Sequence, residues 1–249
     1  MKYFKTFYSF ILLITACSTY AQNNQEVIIE TQQLSDNVYM LTGQGGNIGV
    51  CVGEQGVFMI DDQFARLTPK ILEAIKALSD KPIQFLINTH YHGDHTGGNE
   101  KITEQGAKII AHDNVYKRLS ESSPATPIEA LPVISFNDKL QLHINGEDVL
   151  VFHVENAHTD GDALLYFAQS NVLHTGDTFF SELYPYIDLD SGGSINGYIE
   201  AVKKELTNDG IVPIPTETVY GLAGNIYSEI ALKKIFHLKI NFCLSYSIT

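Results

Sequence analysis

Apolar residues first recur along the chain in short runs broken by glycine. Val27 to Thr31, Val38 to Leu41, Asn47 to Val52 and Val57 to Ile60 are such runs, punctuated by Gly43, Gly45, Gly46, Gly53 and Gly56. This pattern predicts four successive strands of a meander. After Asp61-Asp62 the period changes. Ile71, Leu72, Ile75 and Leu78 share one helical face, so Thr68 to Leu78 is predicted as a helix, with Thr68 as its cap and Pro69 in its first turn. The unbroken apolar run Ile83 to Ile87 reads as a buried strand. Lys108 to Ala111 follows as a strand and Asp113 to about Leu119 as a helix. Ser120 to Pro132 is polar and proline-bearing, and is expected to form a loop bordering a site. Leu140 to Ile144, Val149 to Val154, Ala163 to Phe167 and Val172 to Leu173 read as further strands. Ser194 to Leu206 reads as a helix capped by Ser194. Strands, then helix–strand alternation, then strands and a helix predict an α/β (α+β) chain: two sheets packed face to face with helices outside.

Length and charge narrow the picture. The 249 residues suit one large domain, or one domain plus a fragment. Asp and Glu number 29 against 16 Lys and Arg, a balance that disfavours nucleic acid and anionic membrane surfaces as partners. Met1 to Gln22 has the form of a processing segment: basic Lys2 and Lys5, an apolar stretch from Phe7 to Ala16, and small residues before Gln22. The apolar stretch is too short to span a bilayer comfortably. Cleavage after Ala21, leaving a signal peptide of residues 1–21, is the preferred reading. The alternative is a bacterial lipoprotein box, Ile14-Thr15-Ala16-Cys17, with a lipid anchor on Cys17. Either places the chain outside the cytoplasm, periplasmic or secreted. Cys51 lies in a strand pattern and is expected to be a buried small hydrophobe. With Cys17 in the signal and Cys243 in the tail, no disulfide framework follows.

The candidate chemistry is concentrated in His90-Tyr91-His92-Gly93-Asp94-His95-Thr96-Gly97-Gly98, directly after the Ile83 to Ile87 run. Loops leaving strand ends are where open α/β sheets tend to carry their chemistry. Imidazole and carboxylate together suit zinc. This segment resembles the signature of the metallo-β-lactamase fold superfamily. Asn156-Ala157-His158-Thr159-Asp160-Gly161-Asp162 resembles that family's next ligand loop, and Val172-Leu173-His174-Thr175-Gly176-Asp177-Thr178 its bridging-aspartate loop. The three motifs occur in family order, and the similarity covers about residues 26 to 206.

The resemblance implies an αββα sandwich with metals at one edge between the sheets. It implies that His90, His92 and His158 hold a first zinc, that Asp94 and His95 hold a second, and that Asp177 bridges them. Two zinc ions about 3.5–4 Å apart can share a hydroxide, ionised near pH ~7, and clamp both attacking and leaving oxygens. Asp94 is the expected catalytic residue, orienting that hydroxide and taking a proton. The implied activity is hydrolysis of an ester, thioester or amide-like bond in a small molecule. Asp177 stands where the best-known β-lactamase subclass has cysteine, so a β-lactam substrate is the alternative. Asp62, Asp160, Asp162 and His174 are candidate hydrogen-bond partners for the ligands, and Tyr184 and Tyr186 candidate entrance residues. His112, His143, His153 and His237 are expected to be structural or surface positions.

The pattern breaks after Asp177. The family's last metal-binding histidine, on a Pro-Gly-His-Gly-like turn, has no counterpart; His237 is the only later histidine and its context differs. Gly210-Ile211-Val212-Pro213-Ile214-Pro215-Thr216-Glu217-Thr218-Val219-Tyr220-Gly221-Leu222-Ala223 instead resembles the opening of the threonylcarbamoyl-AMP synthases (YrdC-type domains), and Ser228 to Lys239 that family's next helix. The implied organisation is a signal at 1–21, a metallo-β-lactamase-like domain at 22–208, and a foreign fragment plus unrelated tail at 209–249. Weaker binding of the second zinc is then expected. Two further alternatives follow: an inactive truncated chimera holding at most one zinc, and tRNA modification through the C-terminal segment. Ile211 to Ile214 is strand-like and is expected to occupy the place of the lost strand.

Overall fold

The computed structural model describes residues 26–180, 184–207, 211–215 and 220–224. The expected signal with Cys17, the helix from Ser228 to Lys239, His237 and Cys243 lie outside these residues.

Glycine-bounded apolar runs form an antiparallel meander: β1 (Glu30–Gln33), β2 (Val38–Thr42), β3 (Ile48–Gly53) and β4 (Gly56–Ile60). β1 begins three residues later than the Val27 to Thr31 pattern predicts. It is exposed throughout, while Val27 and Ile29 pack ahead of it as single apolar contacts. Helix α1 (Thr68–Leu78) then crosses over to β5 (Ile83–Ile87), which runs parallel to β4. The predicted bounds of both elements hold. The cap does not: Leu67 occupies that position without a side-chain bond, and the Thr68 hydroxyl is buried and unpaired. Pro69 in the first turn, which needs no amide donor there, starts the helix.

Past β5 come two short helices that periodicity does not reveal, α2 (Gly93–Thr96) and α3 (Asn99–Thr103). Next are β6 (Lys108–His112), α4 (Asp113–Ser120) and an unpredicted short β7 (Ile134–Phe136) that completes the seven-stranded sheet. The 120–132 stretch packs on α3, where the Ala130 carbonyl accepts from Asn99 Nδ2. Strands β8 (Lys139–Ile144), β9 (Glu147–His153), β10 (Ala163–Phe167) and β11 (Val172–His174) form a four-stranded antiparallel sheet with β11 at one edge. Helix α5 (Ile195–Thr207) follows, capped as expected by the Ser194 hydroxyl, which accepts from Gly197 N at 2.9 Å.

Three apolar clusters define the layers. Phe58, Ile60, Ile87 and Ile110 of the large sheet meet Val149, Val151, Leu165 and Phe167 of the small one. The Phe58 and Phe167 rings lie 6.0 Å apart across this interface. Cys51 is buried in the same cluster, and burial pushes its thiol up to about 11. On the opposite face of the large sheet, Val57, Met59 and Leu86 take Ile71 and Ile75 of α1 and Ile102 of α3. On the outer face of the small sheet, Phe152 and Leu164 take Tyr198 and Ala201 of α5. The order helix, sheet, sheet, helix is the expected αββα sandwich. β4 is buried at every position because both faces of its sheet are covered.

Residues 211–215 do not extend the four-stranded sheet. Among the described residues β12 (Ile211–Pro215) pairs with β13 (Tyr220–Gly224) alone, as a separate antiparallel hairpin. The expectation that Ile211 to Ile214 takes the place of a further strand is therefore corrected. A local hairpin closes over a short connection at little entropic cost, whereas pairing with β11 requires a long-range contact. Among the described residues, no helix is long and apolar enough to cross a membrane.

Candidate metal centre

The loops after β4, β5, β9 and β11 meet at one edge between the two sheets. Buried Asn88 shapes the loop after β5: its Nδ2 donates to the His95 carbonyl at 3.1 Å and to Asn99 Oδ1 at 3.0 Å. The chain then turns through α2, with His95 N and Thr96 N bonding back to the His92 carbonyl. This brings His90, His92 and His95 to one side.

His90 Nε2 lies 3.0 Å from His92 Nδ1, which lies 3.0 Å from His158 Nε2. His90 and His158 are buried and His92 half-buried. Beside this trio, His90, His95 and Asp177 form a second group. His95 Nε2 is 3.1 Å from Asp177 Oδ1 and 3.7 Å from Asp94 Oδ2, yet it is buried and makes no hydrogen bond of good geometry. Asp177 Oδ2 lies 3.7 Å from His158 Nε2, so its carboxylate stands between the two groups.

Each imidazole is held from behind. His90 Nδ1 meets the Thr89 hydroxyl at 3.1 Å, and that hydroxyl is itself committed to Asp61 Oδ2. His92 Nε2 meets Asp188 Oδ2 at 2.9 Å, His95 Nδ1 meets Asp61 Oδ2 at 2.7 Å, and His158 Nδ1 meets the Tyr186 carbonyl at 2.8 Å. All four partners accept, so they select the tautomers whose lone pairs face the shared space: Nε2 of His90, His95 and His158, and Nδ1 of His92. An imidazole trio with converging lone pairs could hold a metal ion, and zinc is among the divalent ions that imidazole and carboxylate together suit.

Electrostatics agree. Burial, reinforced by His95, His158 and His92, pushes His90 well below the ordinary histidine range. Burial likewise lowers His158. Burial also opposes protonation of His95, but Asp61 and Asp177 outweigh it and hold that ring well above the ordinary range. For Asp177, burial is overcome by His95, His158 and His92, and the carboxylate stays below its usual value. Asp61 at Nδ1 and Asp177 near Nε2 thus favour positive charge on or beside the His95 ring.

The structure brings together His90, His92, His95, His158 and Asp177, with Asp94 at the rim, a third exposed. Several expected partners sit elsewhere. Asp62 takes Gly98 N at 2.8 Å rather than a ligand, because Asp61, with φ of 59°, is the residue turned back beneath the loop. Asp160 forms a bidentate pair with Arg118. Asp162 accepts from Thr159 N and Oγ1, holding the His158 loop one bond further out. His174 meets the Asn47 carbonyl and Gly176 N, bracing the loop of Asp177. His112 and His153 stack at 3.8 Å, and His143 pairs with Asp148, in keeping with structural roles. Tyr184 and Tyr186 are exposed.

Asp61, Thr89 and Asp188 escape a reading of the chain because a hydrogen bond behind a ligand has no spacing rule. A carboxylate at the end of β4 and another inside an aromatic, acidic stretch are the only hints.

Beside Asp94, His95 and Asp177 opens a cavity of about 540 Å³ with largely apolar walls, including Val38, Met40, Phe167, Leu173, Phe179 and Phe180. No residue of the 120–132 loop lines it, although Leu131 of that loop packs in one cluster with Tyr91 between His90 and His92, and among the described residues no lysine or arginine lines it.

Comparison with known proteins is consistent with this geometry. Residues 41–215 match the family model for the metallo-beta-lactamase superfamily. A hydroxyacylglutathione hydrolase of Pelagibacter ubique (strain HTCC1062) is 34% identical over 110 residues, covering 43% of this chain and 41% of that protein. A metallo-beta-lactamase type 2 of Bacillus sp. (strain 170) is 23% identical over 162 residues, 61% of each chain. Among solved structures, a metallo-beta-lactamase from Pontibacter korlensis superposes with a TM-score of 0.65 at 18% identity, covering 85% of this chain and 99% of that one. The chain spans 41%, 48% and 43% of the length of the first three curated relatives, less than half in each case.

Proposed function

This chain belongs to the metallo-beta-lactamase superfamily, and we propose that it is a zinc-dependent hydrolase of an ester, thioester or amide-like bond in a small molecule. The observation that carries the reading is the convergence of His90 Nε2, His92 Nδ1 and His158 Nε2 at 3.0 Å spacings, each ring fixed by an acceptor behind it. His90, His92 and His158 would hold the first zinc, and His95, Asp94 and Asp177 the second, with Asp177 between them. When bound, the metal supplies Lewis-acid polarisation of the scissile carbonyl and makes water ionisable near neutral pH.

The chain's own residues do the rest. Asp94 Oδ2, at the cavity rim, accepts the proton of the attacking water and returns it to the leaving group. Asp61 and Asp188 keep His95 and His92 in the ligating tautomer. The apolar walls receive the acyl part of the substrate. A thioester or ester with an uncharged, apolar acyl group fits these walls, which among the described residues offer no lysine or arginine to an anion. Relatives named hydroxyacylglutathione hydrolase support the thioester class. The similarity to a metallo-beta-lactamase type 2 supports a β-lactam as the second reading.

The test is turnover of an acyl thioester, an aryl ester and a chromogenic cephalosporin by the zinc-loaded full chain, beside its His90→Ala/His158→Ala variant. Thioester or ester turnover lost in the double variant is the expected result. Turnover unchanged in that variant would refute the metal mechanism, and cephalosporin turnover alone would select the second reading. Metal analysis of the same sample distinguishes two sites per chain from one, the stoichiometry expected if the second site lacks a ligand.

We read residues 209–239 as a fragment similar to the start of a threonylcarbamoyl-AMP synthase, on its motif alone, and Met1 to Gln22 as an export signal. Sequencing genomic DNA across the codons for residues 200–249 tests the first. Mass analysis of the N-terminus after expression in a bacterium tests the second.

A further inference from the structure

Asp188 sits outside the three motifs that carry the metal ligands, yet it touches both ligand loops. Its carboxylate Oδ2 accepts from His92 Nε2 at 2.9 Å and from the Tyr91 hydroxyl at 3.3 Å. Its backbone N–H donates to the carbonyl of His158 at 2.9 Å. Two residues earlier, the Tyr186 carbonyl holds His158 Nδ1. The other carboxylate oxygen takes Ser191 N at 3.2 Å, and the Asp188 carbonyl takes Gly193 N at 2.9 Å, which closes the segment on itself. Ser191 also bonds the Tyr91 hydroxyl, and its carbonyl takes Asp160 N.

We propose that Asp188 is a positioning residue that ties the His92 loop to the His158 loop and so presets the first metal site. This inference rests on the reading of His90, His92 and His158 as a metal site. The two loops come from different sheets, His92 from the end of β5 and His158 from the end of β9. No backbone ladder joins these sheets, because each pairs only within itself. Their mutual placement near the site must come from side-chain and loop contacts, and Asp188 supplies one to each. It orients the ring of His92 by its carboxylate and the backbone of His158 by its amide. Carboxylates behind ligating histidines fix both ring orientation and ligand basicity, and losing such a partner costs about 10–100-fold in metal affinity.

The test is cobalt titration of the metal-free full chain, followed by the visible absorption of the bound ion, with zinc affinity measured by chelator competition. Asp188→Ala is expected to weaken the first metal about 10–100-fold and to shift the cobalt spectrum. Asp188→Asn keeps an acceptor for His92 and is expected to recover part of the loss. Asp160→Asn breaks the Arg118 pair beside the same segment without touching an imidazole, and is expected to bind as the parent does. An Asp188→Ala protein with parental affinity and spectrum overturns the proposal, as does an Asp160→Asn protein that loses as much. If Asp188→Ala does not fold, Asp188→Asn decides: parental affinity and spectrum overturn the proposal, and weaker binding with an altered spectrum upholds it. A parent chain that binds no metal would sink the metal-site reading itself, a different outcome from either.

Discussion

His95 Nδ1 and Asp61 Oδ2 lie 2.7 Å apart in a pocket closed to solvent, and the same oxygen takes the hydroxyl of Thr89. Asp61 therefore orients a ring of the second metal group directly and one of the first through Thr89. Asp61→Ala leaves the His95 N–H buried without an acceptor. The expected cost is about 1–3 kcal/mol of stability. Affinity for the second metal is expected to fall about 10–100-fold, and for the first metal less. Chemical denaturation and zinc competition measure the two effects separately.

Gly46 is where the chain after β2 passes the metal group. A side chain built there overlaps the His95 ring itself, while its carbonyl is held by Gln63 Nε2 at 2.6 Å. The backbone cannot retreat freely, so Gly46→Ala is expected to displace His95. Overpacking of this kind costs about 1–3 kcal/mol. Zinc per chain should fall toward one while the His90, His92 and His158 site stays loaded. A variant that keeps the parental stoichiometry would show that His95 can move without losing its metal.

Asp162 is buried, and burial pushes its carboxyl up to about 7 although Thr159 donates to both oxygens. The folded state therefore holds a proton that the unfolded chain releases near pH ~3.9. Stability from this group is greatest at low pH and is lost as pH rises toward about 7. Asn at this position keeps an acceptor for Thr159 N and carries no charge. Asp162→Asn should gain stability relative to the parent between about pH 4 and pH 7 and level off above. Paired thermal melts at pH 5 and pH 8 check the sign.

Zinc that binds the folded chain and not the unfolded one stabilises it by mass action, about 2.7 kcal/mol at a hundredfold excess over Kd. For a chain of this size the melting temperature should rise by roughly 5–10 °C on zinc addition and return with a chelator. The His90→Ala/His158→Ala variant should show almost none of this shift. Scanning calorimetry of the four samples tests it.

Much of the sandwich is legible in the sequence because each layer is written in local period. Ile83 to Ile87 and Ala163 to Phe167 are strands within their predicted bounds, and Thr68 to Leu78 a helix within its own. Local period fails where burial or pairing comes from afar. β7 is three residues long and exists because β6 offers it a parallel edge. The Ile211 to Ile214 run has a strand's composition, but composition does not choose a partner, and the hairpin with β13 wins over the sheet.

The candidate metal donors divide in the same way. His90, His92, Asp94, His95, His158 and Asp177 fall in three short motifs, each compact in sequence because its residues share one loop. What the chain by itself determined, then, is the main strands and helices of both layers, the sandwich class and the candidate donor motifs. The tertiary structure alone decided which nitrogen of each histidine faces the centre, that Asp61 rather than Asp62 stands behind His95, and that Asp188 joins the two ligand loops. Tautomer and ring orientation depend on an acceptor placed within about 3 Å from another part of the fold, and the side chain's own neighbours in sequence carry no record of it.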